Sequence, residues 1–220
     1  MDIDLEKIIY NIAVWAIPVL FAITVHEVAH GWVANKLGDG TARMLGRLTL
    51  NPIKHIDPFG TILLPLMLIL LSSPILFGAA KPVPVDVRNF KNPRRDMAIV
   101  ALAGPLANVL MAVFWVGFLY LTAAIVTDTA IATGLKSMAA AGILINMILF
   151  VFNLIPIPPL DGGRVLAGLV PPKVADVLDK IEPYGFFIVL GLGFFLYSTG
   201  TFSAIINTVM LTFLGIFGLS

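Results

Sequence analysis

The run His26-Glu27-Val28-Ala29-His30 holds the residues best suited to chemistry in this sequence. On a helix, side chains at positions i and i+4 share one face with their Cβ atoms about 5–6 Å apart, so both imidazoles can reach one metal ion. Glu27 follows the first histidine, where its carboxylate can take a proton from a water whose pKa the metal lowers towards about 7. The spacing is that of the HExxH motif and predicts a hydrolytic zinc site.

The alternative for these residues is a pair of structural histidines beside a paired glutamate, or a chance match to the motif. Their surroundings argue against it, because residues 5–35 are apolar apart from Glu6, Lys7 and this group. A charged residue in the middle of a membrane span costs roughly 2.5–3.5 kcal/mol, so ionisable groups there are functional by default. We therefore favour the metal site.

A hydrolytic zinc needs a third protein ligand. Asp161 is the best candidate, since it ends a long apolar segment in the run NLIPIPPLDGGR. The prolines of that run interrupt the helix, and Gly162 and Gly163 allow a close approach of the backbone. The alternative for Asp161 is a turn-forming or helix-capping role. His55 is the other candidate, and we expect it to be a solvated side chain at the membrane interface.

The composition excludes several classes of protein. Of 220 residues, 59% are hydrophobic and 12% are charged, whereas soluble domains carry about 25% charged residues. The net charge of +1 argues against a nucleic-acid partner, which needs a concentrated basic face. The absence of cysteine excludes disulfides and thiolate metal sites. The sequence predicts an all-α polytopic membrane protein in the lipid bilayer.

The apolar segments predict about five full transmembrane helices, near 5–35, 97–126, 137–157, 184–198 and 202–219. A further segment at 61–80 contains Pro65 and Pro74, and we expect it to form a re-entrant hairpin. Short β segments are expected near 41–50 and 81–86, and helices 184–219 form either a movable gate or a closely packed pair. The whole chain, 1–220, is then one membrane-embedded domain with its core at about 5–170.

The distribution of charge supports the re-entrant hairpin. With a hairpin at 61–80, twelve of the fourteen lysines and arginines lie on one side of the membrane, which is the cytoplasmic side by the positive-inside rule. A full span there would divide them nine to five. The same topology brings Asp161 to the side of the membrane where His26 and His30 lie. We therefore expect a multi-pass protein of the cell membrane with its active site towards the cytoplasm.

HEVAH, the AGPLAN at 103–108 and the NLIPIPPLDGG run together resemble the site-2 protease family of intramembrane zinc metalloproteases, in its compact prokaryotic branch. GRLTLNPIKHIDPFGT and AKPVPV are similar to that branch as well, and the resemblance covers roughly residues 15–170. It implies one Zn²⁺ per chain bound by His26, His30 and Asp161, with Glu27 as the catalytic base. It also implies that Asn153 holds or polarises the scissile carbonyl.

The activity implied by this resemblance is hydrolysis of a peptide bond in or near a transmembrane helix of a substrate membrane protein, as in regulated intramembrane proteolysis. The sequence shows no PDZ-type or CBS-type domain, so regulation of the kind those domains give relatives is absent or is supplied by a membrane partner. Two alternatives are a zinc transporter and a catalytically silent scaffold. A transporter needs a series of polar sites across the membrane, but Asn108, Asn146 and Asn153 are scattered, and a scaffold would not need Glu27.

Overall fold

Three long helices form the centre of the computed structural model, which describes residues 5–63, 67, 70 and 80–219. These are α1 (Leu5–Lys36), α3 (Pro93–Ile125) and α4 (Thr129–Asn153), and they pack on one another. The remaining α-helices are α2 (Thr41–Met44), α5 (Asp161–Leu169), α6 (Pro172–Ile181), α7 (Gly185–Ser198) and α8 (Thr201–Ile216). Single turns of 3₁₀-helix at Pro52–His55, Val87–Asn89 and Glu182–Tyr184 and a π-helix at Pro58–Leu63 complete the described part.

The core between α3, α4 and α8 consists of small and large apolar side chains that interlock. Its buried members are Ala112, Trp115, Val116, Ala139, Ile143, Met147 and Phe213. The indole of Trp115 lies over Gly142, at a place where any Cβ would overlap the ring. The outward faces of the helices carry exposed apolar residues such as Leu110 (71% exposed) and Phe114 (57% exposed), as expected for surfaces that face lipid.

Four helical stretches of the described chain are long and apolar enough to cross a membrane: α1, α3, α4 and the continuous stretch Pro172–Ser198. Helix α8 coincides with the last predicted span, but its 16 residues fall short of the about 20 that a spanning helix needs. The chain is therefore a multi-pass, all-helical membrane protein in its described part.

The short β segments predicted near 41–50 and 81–86 do not form in the described residues. Residues 41–44 are helical, and Gly46 has a left-handed φ of 64°, which an extended strand cannot contain. Residues 81–86 have no regular secondary structure. The two segments meet instead through the guanidinium of Arg47, which donates to the carbonyls of Lys81 (2.9 Å) and Pro82 (3.3 Å).

The connection between α1 and α3 leaves and rejoins the bundle at the same end. The Asp39 carboxylate, just after α1, accepts hydrogen bonds from the Asp86 amide and the Asn89 side chain, both at 2.8 Å. Ala34 of α1 also packs with Phe90 and Val100 in one buried cluster. Most of the predicted hairpin at 61–80 lies outside the described residues.

Asp39 is a fully buried carboxylate that holds this connection in place. It also accepts from the amide and the hydroxyl of Thr41. Burial raises the pKa of Asp39, but the hydrogen bonds from Thr41, Asn89 and Asp86 outweigh burial and lower that pKa below its ordinary value. The ionised carboxylate therefore stabilises the folded connection.

We expect Gly142→Ala to destabilise the bundle by about 1–3 kcal/mol, because the added methyl overlaps the Trp115 indole in a packed interface. Thermal unfolding in detergent, followed by tryptophan fluorescence, measures the change. Gly134→Ala is the matched control on the same helix, since no atom lies within 4 Å of its Cβ position. Equal midpoints for the two variants would contradict this account of the interface.

We expect residues 83–91 to lose amide protection in acid. The pKa of Asp39 is lowered in the folded state, so its contribution is complete above the ordinary value of about 3.9 and disappears as the pH falls through the folded value. Hydrogen exchange read by mass spectrometry should show this loss, and Asp39→Asn should show it already at neutral pH. Asp176→Asn, which removes an exposed partner of Arg94, should leave the exchange unchanged.

Candidate metal centre

Three atoms that can bind a metal meet where α1 and α5 touch. His26 Nε2 and His30 Nε2 lie 3.0 Å apart, and Asp161 Oδ2 lies 3.2 Å from the first and 3.3 Å from the second. Throughout the described part of the chain, this is the one group of three or more His, Cys, Asp or Glu residues placed to hold an ion. His26 and Asp161 are each 8% exposed, so the cluster is closed off from bulk solvent.

The hydrogen bonds at the far side of each imidazole determine where its proton lies. His30 Nδ1 is 2.7 Å from the carbonyl oxygen of Val100, which can only accept, so Nδ1 carries the proton. His26 Nδ1 is 2.7 Å from Oδ1 of Asn108 and donates in the same way. Both neutral rings therefore direct the lone pair of Nε2 into the cluster.

Asp161 Oδ2 is buried without a hydrogen-bond partner. With both rings in this neutral form, three electron-rich atoms converge on one point, which is unfavourable unless a positive charge lies among them. Ligands of a tetrahedral zinc at ~2.0–2.2 Å stand about 3.3–3.6 Å from one another, and the separations of 3.0, 3.2 and 3.3 Å found here lie at or just below this range. The residues fit zinc in both donor type and spacing.

Glycines make room for this cluster. Gly104 of α3 faces the two imidazoles, and a Cβ there would overlap Nε2 of His30 and Cε1 of His26. Gly162 and Gly163 lie against the backbone of residues 154–158, where a side chain would not fit. That close approach, expected from the Gly-Gly pair, brings the first residue of α5 to the histidines. Leu160 occupies the N-cap of α5, so Asp161 does not serve as the cap.

Glu27 lies beside the cluster and is held by the main chain of residues 80–86. Its Oε2 accepts a hydrogen bond of 2.7 Å from the Val83 amide. The side chain of Val83 packs on Gly31, one turn further along α1. Residues 80–86 therefore pass directly over the HExxH turn, although they are distant from that turn in sequence.

Two other sequence candidates lie apart from the cluster. Asn153 is the last residue of α4, and its amide donates to the Leu149 carbonyl at 3.0 Å; no hydrogen bond joins it to the cluster in the part of the chain described. The prediction of a solvated His55 is wrong, since this side chain is 2% exposed. Its Nε2 donates to the Thr49 carbonyl, and its own carbonyl accepts from the Lys81 amide, both at 2.9 Å, so it is buried between two loop segments.

The sequence interpretation missed Asn108 and Asn146. It treated them as scattered polar residues, whereas both are fully buried and Asn108 contacts His26. A signal was present in AGPLAN, because Asn108 lies four residues after Gly104 and so shares its helix face.

The profile of Peptidase family M50 matches residues 14–192. The chain belongs to this family. The predicted membership of the site-2 proteases is thereby confirmed, and the protein is a zinc metalloendopeptidase. Among similar proteins, "Putative zinc metalloprotease YwhC" of Bacillus subtilis is 46% identical over 178 residues, which make up 80% of this chain and 78% of that protein.

A more distant relative is "Putative zinc metalloprotease Rip2" of Mycolicibacterium smegmatis. It is 35% identical over 173 residues, which make up 79% of this chain but only 63% of that protein. The chain thus spans less than two thirds of the Rip2 protein. No solved structure matches the chain.

We expect Gly104→Ala to lower zinc binding at least tenfold, because its methyl group would occupy the space in which the two imidazoles meet. Metal content after purification in zinc, measured by mass spectrometry, gives the stoichiometry. Gly117→Ala is the matched control on α3, with open space around its Cβ position, and should retain zinc like the wild type. Full zinc occupancy in Gly104→Ala would show that the ion binds elsewhere.

Proposed function

We propose that this protein hydrolyses a peptide bond in or beside a transmembrane helix of another membrane protein, with zinc held by His26, His30 and Asp161. The observation that carries the proposal is the convergence of three atoms that can bind a metal next to a glutamate, inside a bundle of helices long enough to span a bilayer. Zinc bound there would polarise the scissile carbonyl and lower the pKa of a water.

Glu27 is the proposed general base and acid. Its Oε2 is occupied by the Val83 amide, which leaves Oε1 to take a proton from the attacking water. The water oxygen joins the carbonyl carbon, the C–N bond breaks, and Oε1 returns the proton to the leaving nitrogen. The hydrogen bond from Val83 fixes the carboxylate and so keeps Oε1 in one place.

For Asn153 we propose the role that the family resemblance implies, which is to hold the oxygen of the scissile carbonyl. Its amide is half-buried and donates to Leu149, one turn back on α4. That bond is an ordinary helix contact, and a rotation of the side chain would release the donor. The role therefore requires Asn153 to exchange a backbone acceptor for a substrate acceptor.

A cleft of about 590 Å³ is lined in part by residues 82, 83 and 85, and we propose it as the route of the substrate towards Glu27. Val83 and Val85 line one side, and Met97, Ala167 and Arg164 line the other. Because Val83 also binds Glu27, the cleft adjoins the proposed base. We propose that the substrate unwinds and lies extended along residues 80–86, pairing mainly with the carbonyls after Pro82. Pro82 and Pro84 have no amide hydrogen to donate, and Arg47 already donates to the carbonyls of Lys81 and Pro82.

We further propose that the site faces the cytoplasm of a cell-membrane protein. Two observations support this topology. The connection from Asp39 to Asn89 begins and ends at one end of the bundle, and most of the basic residues fall on that side.

The proposed arrangement is one membrane domain in which α7 is the movable part of a gate, while Phe213 anchors α8 in the core. Gly191 and Gly193 of α7 have open space at their Cβ positions. Within the described chain, no helix packs closely against α7 at these two glycines. This favours a movable gate over a tightly packed helix pair.

The zinc transporter is the less favoured candidate, because the buried amides of Asn108 and Asn146 are hydrogen-bonded into the His26 site. The two asparagines therefore do not form a second ion-binding site on a route across the membrane, which a transporter would need.

We expect Glu27→Gln to keep zinc and to lose cleavage by about 10²–10⁴-fold, since it removes the proton acceptor alone. The assay uses purified protein in liposomes with labelled single-span membrane proteins, and metal content is measured on the same samples. Glu6→Gln, an exposed position on the same helix, is the matched control and should cleave normally. Equal cleavage by Glu27→Gln and wild type would refute the proposed role, and zinc flux without cleavage would favour a transporter.

A further inference from the structure

A chain of buried amides runs through the bundle and ends on His26. Asn146 donates from Nδ2 to the Gly142 carbonyl at 2.8 Å. Asn108 donates from Nδ2 to Oδ1 of Asn146 at 2.9 Å and to the Ala22 carbonyl at 3.3 Å. His26 Nδ1 then donates to Oδ1 of Asn108 at 2.7 Å. Both asparagines have no exposed surface, so the chain links α4, α3 and α1 away from solvent.

The direction of every hydrogen bond in this chain is determined. The Gly142 carbonyl can only accept, so the amide nitrogen of Asn146 faces it and Oδ1 faces Asn108. The amide nitrogen of Asn108 then has two oxygen acceptors, which leaves its Oδ1 for His26. A proton is consequently required on Nδ1 of His26.

We infer that Asn108 and Asn146 are positioning residues that fix the tautomer and the ring orientation of His26 for metal binding. The inference rests on the proposed role of His26 as a ligand. With the proton fixed on Nδ1, Nε2 keeps a lone pair for a metal on the side where Asp161 Oδ2 lies, 3.2 Å away. An imidazole free to rotate or to exchange tautomers would spend part of its time with the wrong nitrogen, or an N–H, towards the metal.

The two histidines are held by different means. His30 Nδ1 bonds to the main-chain carbonyl of Val100, which no side-chain substitution removes. His26 depends on Asn108 directly and on Asn146 through it. Of the two groups that orient the imidazoles, the Val100 carbonyl and the Asn108 side chain, only the Asn108 side chain can be removed by mutation.

A simpler role for two buried amides is to join helices, since side-chain hydrogen bonds between membrane helices stabilise their packing. That role predicts a loss of stability with zinc affinity unchanged. The positioning role predicts a loss of zinc affinity that exceeds any change in stability and that follows the order of the chain, larger for Asn108 than for Asn146.

The experiment measures zinc affinity by competition with a fluorescent chelator on apo-protein in detergent, with thermal unfolding of the apo form in parallel. We expect Asn108→Leu to weaken zinc binding 10–100-fold and Asn146→Leu to weaken it less. Thr122→Val is the matched control, because Thr122 is a buried polar residue of the same helix whose hydroxyl donates to the Phe118 carbonyl. It should bind zinc like the wild type.

A second readout follows the tautomer itself. In protein with ¹⁵N-labelled histidine, the imidazole shifts of apo wild type should report the Nδ1–H form of His26, and Asn146→Leu should report a mixture of tautomers. This variant leaves Asn108 in contact with His26, so it keeps the inference testable if Asn108→Leu does not fold.

The possible results separate the inference from the proposed function. Zinc affinity of Asn108→Leu within twofold of wild type, or a single unchanged tautomer in Asn146→Leu, would overturn the inference. His26→Ala is the reference for the site: if it binds zinc as the wild type does, the ligand assignment fails, and the inference fails with it. If His26→Ala loses zinc while both asparagine variants retain it, only the inference fails.

Discussion

Charged and lone-pair-bearing groups in an apolar bundle must be oriented by other buried polar groups, because no water is there to do it. His26, His30 and Asp161 bring three such atoms within 3.3 Å of one another. Each imidazole is tied at its far nitrogen to an oxygen of α3, so this helix supplies the orientation while α1 and α5 supply the ligand atoms. Both α1 and α5 therefore have to pack against α3, as they do.

The need for close approach explains why small residues surround the site. Gly104 admits the imidazoles, and Gly162 with Gly163 admits the turn that carries Asp161. Gly142 accommodates the Trp115 indole between α3 and α4. Its own carbonyl accepts the hydrogen bond of Asn146. Packing between these helices and orientation of His26 are thus linked at a single position.

The sequence alone predicts the features of the site that depend on helical periodicity and on the direction of the chain. Helical spacing pairs His26 with His30, and the direction of the later apolar segment puts Asp161 at their level. It did not recover Asn108, because a hydrogen bond between helices depends on their rotation about their own axes, which a single sequence does not specify. His55 was misjudged for a related reason: its partners are main-chain groups of neighbouring loops, and these carry no signature in the identity of the residues.

The hydrogen bond that holds the Glu27 carboxylate comes from the backbone amide of Val83, in residues 80–86, and not from a side chain. Every amino acid except proline presents the same N–H, so substitutions along 80–86 can alter the wall of the cleft while the carboxylate remains anchored. The side chains that line the proposed substrate cleft can therefore vary while Glu27 keeps its hydrogen bond. Replacing residues of this segment other than Val83 is accordingly a practical route to altered selectivity in an otherwise intact enzyme.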